Sequence, residues 1–168
     1  MLEDFPFSDI DKCDQTSKVA IAVRAFCRVR PLFWASPLDR QEGDNPKFSR
    51  CRTILQQMAP ELYVEIPRVS DRGTVKKACW FVTQAAEAAV CLAEPDHLET
   101  WKNPRLSYAM PDIREASQSA DELRQLVEAC RSAALEVGGE VLAGQVVAAI
   151  RADLAAAIAG EPFGPLPA

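Results

Sequence analysis

The side chains that most often do chemistry in enzymes are few in this sequence. His97 is the single histidine among the 168 residues, so any serine–histidine, cysteine–histidine or multi-histidine metal mechanism would depend on it. It stands among Glu94, Asp96 and Glu99, a setting that also fits a surface histidine in the loop before a helix. Phosphate-loop, nucleophile-elbow and zinc-protease motifs are missing from the chain. The sequence therefore predicts no catalytic residue and a protein that is not an enzyme.

Six cysteines are the next candidates for chemistry, as metal ligands or as reactive thiols. The closest two are 12 residues apart, so the chain lacks the local thiolate pair with which a zinc site usually begins. Most fall on the apolar side of a predicted helix, where a reduced cysteine packs like a small hydrophobic residue. We therefore expect core cysteines, with no metal and no cofactor, and reactive thiols or a cryptic metal site as the alternatives. The cysteines on apolar stripes are Cys27, Cys51, Cys79 and Cys130.

One carboxylate, Asp153, occupies an unusual place, at the edge of the apolar stripe of the last predicted helix. A buried charge without a partner is costly, so Asp153 must reach solvent or a cation. An arginine from another helix is the ordinary partner for such a group. Glu128, by contrast, is expected to pair along its own helix with Arg124 or Arg131.

Helices are the elements that must position these residues. Apolar residues recur at helical spacing in five segments. A cap between Asp14 and Ser17 begins the first helix, and Pro31 is expected to kink or end it. The capping-box pattern that starts at Ser119 begins the fourth helix, and Gly138-Gly139 separates it from the fifth. The predicted helices cover about residues 15–31, 46–58, 71–93, 119–137 and 142–160.

These elements predict an all-α fold, a single-domain bundle of about five main helices plus one or two short ones. The bundle domain is expected to span residues 15–160, between an acidic segment at 1–14 and a loose tail at 161–168. Residues 62–66 alternate as a strand would. Because no second strand is predicted to pair with them, a short helical turn or an extended connector is the preferred interpretation.

Charge is distributed unevenly along the chain. The net charge is −5, with 13 Lys and Arg against 11 Asp and Glu in residues 1–84, and 6 against 13 in residues 85–168. An acidic protein gains little long-range attraction to DNA or RNA, so no nucleic-acid partner is expected. The basic residues are instead expected to cover solvated helix faces and to pair with the acidic half. They are Lys18, Arg24, Arg28, Arg30, Lys47, Arg50 and Arg52.

Neither a membrane span nor a secretory signal is expected from the residue pattern. No uncharged run approaches the roughly 18–20 apolar residues that a span requires. The first residues, Met1 to Phe5, are acidic, which differs from the basic and then apolar plan of a signal peptide. The sequence therefore predicts a cytoplasmic protein.

Acidic and aromatic residues in two predicted loops, 36–45 and 102–116, are the candidates for partner recognition. Tryptophan and tyrosine dominate the binding energy of protein interfaces, and neighbouring acids would suit a cationic partner. The alternative is that the aromatic rings pack beneath the loop and seal the core. The predicted protein-binding residues are Asp39, Glu42, Asp44, Trp101, Tyr108, Asp112 and Glu115.

Residues Lys18 to Phe33 read KVAIAVRAFCRVRPLF, an Ala/Arg/Cys-rich helix that closes in Pro-Leu-Phe. An acidic loop from Asp39 to Asp44, a second amphipathic helix through Cys51 and then Ala-rich helices follow. This layout resembles a family of helical immunity proteins from bacterial polymorphic toxin systems, over about the first 60 residues. The resemblance implies a bacterial, cytosolic, non-enzymatic binder that neutralises a toxin by covering its active site. Such families often carry histidines on their Ala-rich helices and this chain does not, so no site residue is transferred.

The functional hypothesis is a helical protein-binding module, with a cationic toxin domain as the candidate partner. Two alternatives remain open. One is a small-ligand binder or enzyme with a pocket inside the bundle, where Asp153, Tyr63 or a cysteine would supply polarity. The other is a homo-oligomeric structural or regulatory protein, such as a homodimer joined through apolar helix faces.

Overall fold

The computed structural model describes residues 2–33, 46–63, 76–93 and 111–166, and of residues 33, 46–47, 76–77, 79 and 111–118 it describes the backbone alone. All regular structure in these ranges is helical, which confirms the predicted all-α bundle. A short 3-10 helix precedes four α-helices. They are the 3-10 helix Phe7–Lys12, α1 (Gln15–Phe33), α2 (Pro46–Met58), α3 (Lys76–Ala93) and α4 (Pro111–Ala159).

Helix α1 packs against both α3 and α4. Asp14 caps it, as predicted, by accepting a hydrogen bond at Oδ1 from the backbone N–H of Ser17 at 2.8 Å. The helix continues two residues past Pro31 to Phe33. Every residue from Ala20 to Cys27 is buried, because other helices cover α1 on several sides. Helical spacing alone could not show that the charged face of α1 is also covered.

Helix α4 begins at Pro111, eight residues before the predicted start at Ser119. Proline is favoured in the first turn because its missing N–H has no helical partner there. Ser119 lies inside the helix, and its Oγ accepts a hydrogen bond from Lys18 Nζ of α1 at 3.0 Å. The capping-box prediction was therefore wrong, and so was the loop at 102–116 in its last residues, because Asp112 and Glu115 belong to α4.

Gly139 divides α4 into a first arm, residues 111–138, and a second arm, residues 140–159. Its φ of 70° and ψ of −164° lie outside the helical region and are adopted almost only by glycine, so the predicted break at Gly138-Gly139 is confirmed. The helix ends in a Schellman motif, in which Glu161 N–H donates to the Ala156 carbonyl at 2.9 Å around Gly160, whose φ is 71°. The break lets the second arm return along α1, so residues near 150 pack beside residues near 24.

The core lies between α1, α3 and the two arms of α4. The N-terminal segment adds Phe5, Phe7 and Ile10 to it, and Leu166 from the C-terminal segment packs against its edge. After α2, the backbone N–H groups of Leu62 and Tyr63 both donate to the Ala59 carbonyl at 3.0 Å, which makes a turn at the start of the ambiguous segment. The largest fully buried side chains are Ile10, Ile21, Val23, Phe26, Phe48, Leu55, Leu92, Leu123, Leu126, Ile150 and Leu154.

One helical stretch, Ser119–Ala159, is long and apolar enough to cross a membrane by length and composition. Its most apolar window has a mean hydropathy of 1.7, and 33% of that window is buried in the fold. Core helices of soluble proteins pass the same test. The stretch also includes the break at Gly139 and the buried, arginine-paired Asp153.

Candidate functional site

The predicted recognition loops fall mostly outside the residues that the structure describes. This holds for Asp39, Glu42, Asp44, Trp101 and Tyr108. It also holds for His97. Asp112 and Glu115 lie in the first turns of α4, where the backbone alone is described. The two-loop surface therefore stays a prediction.

A surface groove runs between α3 and the first arm of α4, with a volume of about 530 Å³. Its residues recur three or four positions apart on each helix, so each helix contributes one ridge of side chains. Two buried alanines, Ala88 and Ala129, form part of its lining and let the helices approach closely. We call this feature the tryptophan groove, lined by Trp80, Phe81, Gln84, Glu87, Ala88, Gln125, Glu128, Ala129 and Ser132.

Trp80 is the largest apolar side chain of the groove and is 60% exposed. Its ring contacts the half-buried ring of Phe81, with centroids 5.3 Å apart and planes tilted by 55°. Trp80 shares one helix face with Gln84 and Glu87, the polar face of α3. A tryptophan on the polar face of an amphipathic helix was the signal in the sequence, and the sequence reasoning missed it.

The two charged residues that line the groove, Glu87 and Glu128, are both acidic. The expected pairing of Glu128 with an arginine of its own helix is wrong, because both candidate arginines bind elsewhere. The Arg124 guanidinium lies over the ring of Phe7, 4.2 Å from its centroid. Arg131 Nη2 lies 3.4 Å from a Glu140 carboxylate oxygen. Among the described residues, Glu128 consequently has no ion pair.

A second groove, of about 540 Å³, follows the outer side of the second arm of α4. It is lined mainly by small apolar residues such as Ala143, Gly144 and Ala148. Its charged residues already have partners: Arg131 pairs with Glu140, and Arg151 Nη2 lies 3.5 Å from Asp4 Oδ1. Compared with the tryptophan groove, this surface offers few polar groups that a partner could bind.

The oddly placed Asp153 lies in a buried ion cluster, with only 3% of its side chain exposed. Arg24 donates to both carboxylate oxygens, from Nε to Oδ2 at 3.0 Å and from Nη2 to Oδ1 at 3.2 Å. Arg28, one helical turn further along α1, donates from Nη2 to Oδ2 at 3.0 Å. The predicted arginine partner is thus confirmed, and two arginines fill the role.

The same cluster corrects the expectation that the basic residues of α1 lie on a solvated face. Arg24 and Arg30 are buried, and the side chain of Arg28 is only 5% exposed. Arg24 also donates from Nη2 to the Gly164 carbonyl at 2.6 Å, and its guanidinium lies 4.8 Å from the centroid of the Phe163 ring. The cluster joins α1, α4 and the C-terminal segment, which makes it a structural element.

The cysteines of the described core are packing residues, as predicted for Cys27, Cys51 and Cys130. Burial raises the pKa of the Cys130 thiol to about 12, so the thiol stays protonated and is a poor nucleophile. Its Sγ lies 3.9 Å from the Ala25 carbonyl oxygen. In the described ranges no group of three His, Cys, Asp or Glu residues is placed to hold a metal ion.

The residues proposed for a pocket inside the bundle do not line either groove. Asp153 is bound by two arginines, and the ring of Tyr63 packs 6.3 Å from that of Phe26. Both grooves lie at the protein surface. Neither of these two grooves is therefore the pocket inside the bundle that the sequence suggested as an alternative.

Comparison with known proteins adds no relative: no protein-family model, no curated protein and no solved structure matches this chain. The resemblance to helical immunity proteins therefore stays a prediction. Among the described residues, the tryptophan groove combines an exposed aromatic ring, two carboxylates and side-chain amides between two packed helices.

Proposed function

We propose that this chain is a non-enzymatic helical protein-binding module whose partner docks in the tryptophan groove. The observation that supports this most strongly is the 60% exposure of Trp80 at a groove of about 530 Å³. Covering a large aromatic side chain on association yields roughly 1.5–3 kcal/mol, and tryptophan is among the residues that dominate interface energies.

The position of the groove suits protein recognition. Its walls are α3 and the first arm of α4, two helices that pack against each other, so little ordering is required on binding. Gln84, Gln125 and Ser132 supply hydrogen-bonding groups around the ring. An aromatic centre with a polar surround is the usual layout of a binding surface between proteins.

The finer proposal is that the partner is a cationic toxin domain that this chain neutralises in the cytoplasm. The net charge of −5, and the excess of acidic residues beyond residue 84, would speed encounter with a basic protein. The resemblance of the first 60 residues to helical immunity proteins points the same way. A homodimer through the same groove is the competing arrangement.

Site-specific photo-crosslinking tests the proposal. A benzophenone amino acid replaces Trp80 in one version of the full chain and Val141 in another. Val141 is the control, because it is 73% exposed and lies on the second arm of α4, which does not line the groove. Both versions are expressed in the native host, irradiated, and their crosslinked products identified by mass spectrometry. We expect one protein to crosslink from position 80, and its purified form to bind the unaltered chain with one-to-one stoichiometry.

Three outcomes would contradict the proposal. They are the absence of a crosslink from position 80, an equal yield of the same product from position 141, and failure of the purified protein to bind the unaltered chain. A crosslink to a second copy of this chain would replace the proposal by the homodimer.

A further inference from the structure

We infer that the buried cluster around Asp153 is also a binding site for a small carboxylate anion. The anion takes the place of the Gly164 carbonyl on Arg24 and releases the C-terminal segment, residues 161–166. This inference is independent of the tryptophan groove. Its evidence is the charge balance of the cluster, the unpaired donors of Arg28 and the weak attachment of the segment that contacts Arg24.

The cluster contains two positive charges and one negative charge. The side chains of Arg24 and Arg28 are 8% and 5% exposed, and both bind the carboxylate of Asp153. In the part of the chain that the structure describes, no second acid interacts with either arginine. A buried charge without a partner is costly, so one further negative charge would stabilise this cluster.

Arg28 has hydrogen-bonding capacity that the cluster does not use. Its Nη2 donates to Asp153 Oδ2 at 3.0 Å, but its Nε and Nη1 are buried and have no hydrogen-bond partner among the described residues. Buried donors in folded proteins are nearly always paired, so these nitrogens indicate an acceptor that the fold itself does not provide. The charge balance and the unpaired donors therefore both favour an anion.

Arg24 identifies the position at which one acceptor can replace another. Its Nη2 donates to Asp153 Oδ1 at 3.2 Å and to the Gly164 carbonyl oxygen at 2.6 Å. The carbonyl supplies an oxygen acceptor but no net charge. A carboxylate oxygen in the same place would make a charge-assisted hydrogen bond, which is roughly twice as strong, and would bring the cluster to neutrality.

The C-terminal segment is attached weakly enough to be displaced. Its two prolines have no N–H to donate, and Glu161 is its last backbone donor to the fold among the described residues. Beyond Glu161 the segment is held by the hydrogen bond between Arg24 and Gly164, by the Phe163 ring beside the same guanidinium, and by Leu166 at the edge of the core. Displacement breaks few contacts and leaves the Arg24 guanidinium open to an anion.

A carboxylate suits this position better than a spherical anion such as chloride. The N–H groups of a guanidinium form a planar fork that matches two oxygen atoms, and Arg24 already binds Asp153 in this way. The anion has to be small, because it takes the space of a backbone carbonyl beside buried side chains. The ligand class is therefore a small monocarboxylate.

Nuclear magnetic resonance with formate, the smallest carboxylate, tests this inference directly. The isotope-labelled full chain is titrated in parallel with sodium formate and with sodium chloride at matched concentrations, and the backbone N–H signal of Gly164 is followed. The signal is assigned from the spectrum of Gly164→Ala, in which the added Cβ meets no atom within 4 Å. Hydrogen exchange of residues 161–166 is measured with and without formate.

Two substitutions should change the affinity for formate in opposite directions. Arg28→Met removes the surplus positive charge but leaves the bond between Arg24 and Gly164, so formate should bind about tenfold more weakly. Phe163→Ala weakens the competing segment, so formate should bind about threefold more tightly. Arg50→Met, at an exposed position of α2, is the control and should change the affinity less than about twofold. The thermal unfolding midpoint of each variant verifies that it is folded.

The expected pattern is a saturable shift of the Gly164 signal with formate, a much smaller shift with chloride, and faster hydrogen exchange in residues 161–166 when formate is bound. The inference is overturned if chloride shifts the signal as far as formate does, if Arg28→Met binds formate as well as the unaltered chain does, or if Phe163→Ala does not bind it more tightly. Should Arg28→Met fail to fold, the comparison of Phe163→Ala with Arg50→Met decides.

Discussion

Two regions of this molecule bring carboxylates and aromatic rings together, and they differ in burial: one lies inside the fold and the other at its surface. In the buried cluster, Asp153 receives hydrogen bonds from Arg24 and Arg28, and Phe163 lies beside Arg24. In the tryptophan groove, Glu128 and Trp80 face solvent. The cluster is therefore part of the interior of the fold, and the groove is the surface on which we propose that a partner docks.

The difference follows from where each charge lies. A carboxylate taken out of water must be paired, so Asp153 would destabilise the fold without its arginines. A carboxylate in water has no such requirement, and an exposed pair contributes little to stability. We therefore expect substitutions in the cluster to affect folding and substitutions in the groove to affect binding.

The largest effect is expected from Asp153→Asn. It leaves the shape nearly unchanged but removes the charge that compensates two buried arginines, which should lower the free energy of unfolding by about 4 kcal/mol. Urea denaturation followed by circular dichroism measures this loss. Glu136→Gln is the control and should change stability by less than about 0.5 kcal/mol. A loss below about 1 kcal/mol for Asp153→Asn would contradict the structural role of the cluster.

Arg24→Met should be the next most severe change, at about 3 kcal/mol. Arg24 makes both hydrogen bonds of the bidentate pair and also holds the Gly164 carbonyl, whereas Arg28 makes one bond to Asp153. Arg28→Met should therefore cost about half as much. Hydrogen exchange in residues 161–166 should rise in Arg24→Met and not in Arg28→Met. Equal losses of unfolding free energy in the two variants would show that the bidentate contact of Arg24 contributes no more than the single bond of Arg28.

Gly139→Ala should have an intermediate effect, because the break at Gly139 brings the second arm of α4 back to α1. An added Cβ meets no atom within 4 Å, so the cost is backbone strain at a φ of 70°, about 2 kcal/mol. Gly144→Ala in the same arm also meets open space but in helical conformation, and it should stabilise the fold by about 0.5–1 kcal/mol. Thermal unfolding distinguishes the two, and equal shifts would contradict this explanation of the break.

The smallest expected change in stability is that of Asp14, an exposed carboxylate that caps the start of α1. The hydrogen bond from the Ser17 backbone N–H lowers the pKa of Asp14 below its ordinary value. Its stabilising effect is therefore complete above the ordinary aspartate pKa and is lost as the pH falls through the lowered one. Asp14→Asn keeps a capping side chain without titration, so the acid sensitivity of the intact chain should exceed that of the variant. If the free energy of unfolding depends on pH in the same way in the intact chain and in Asp14→Asn, the cap does not make this contribution.

Much of the interior was predictable from sequence, because burial imposes strict requirements. The position of Asp153 on an apolar stripe required a cation, and Gly138-Gly139 required a break in the helix. The start of α4 was not predictable in the same way. Any serine with a glutamate three residues later resembles a capping box, and only the contact between Lys18 and Ser119 shows that this serine lies inside a helix.

The candidate site was harder to predict than the fold. Helical spacing shows which residues share a face but not which faces other helices cover, so Arg24 and Arg28 were expected in solvent. The groove could not be predicted for the same reason. Helical spacing places Trp80 on the polar face of α3 but does not show that α4 packs beside that helix. The predicted loop residues, from Asp39 to Glu115, remain a hypothesis that the described residues do not test.

The buried cluster stabilises the fold, and we propose that the tryptophan groove binds a partner. The most direct test is the affinity of Trp80→Ala for the protein that crosslinks from position 80, measured by calorimetry on the folded variant. We expect Trp80→Ala to bind at least about tenfold more weakly, with its free energy of unfolding changed by less than about 1 kcal/mol. An unchanged affinity, or a loss of binding explained by unfolding, would contradict it.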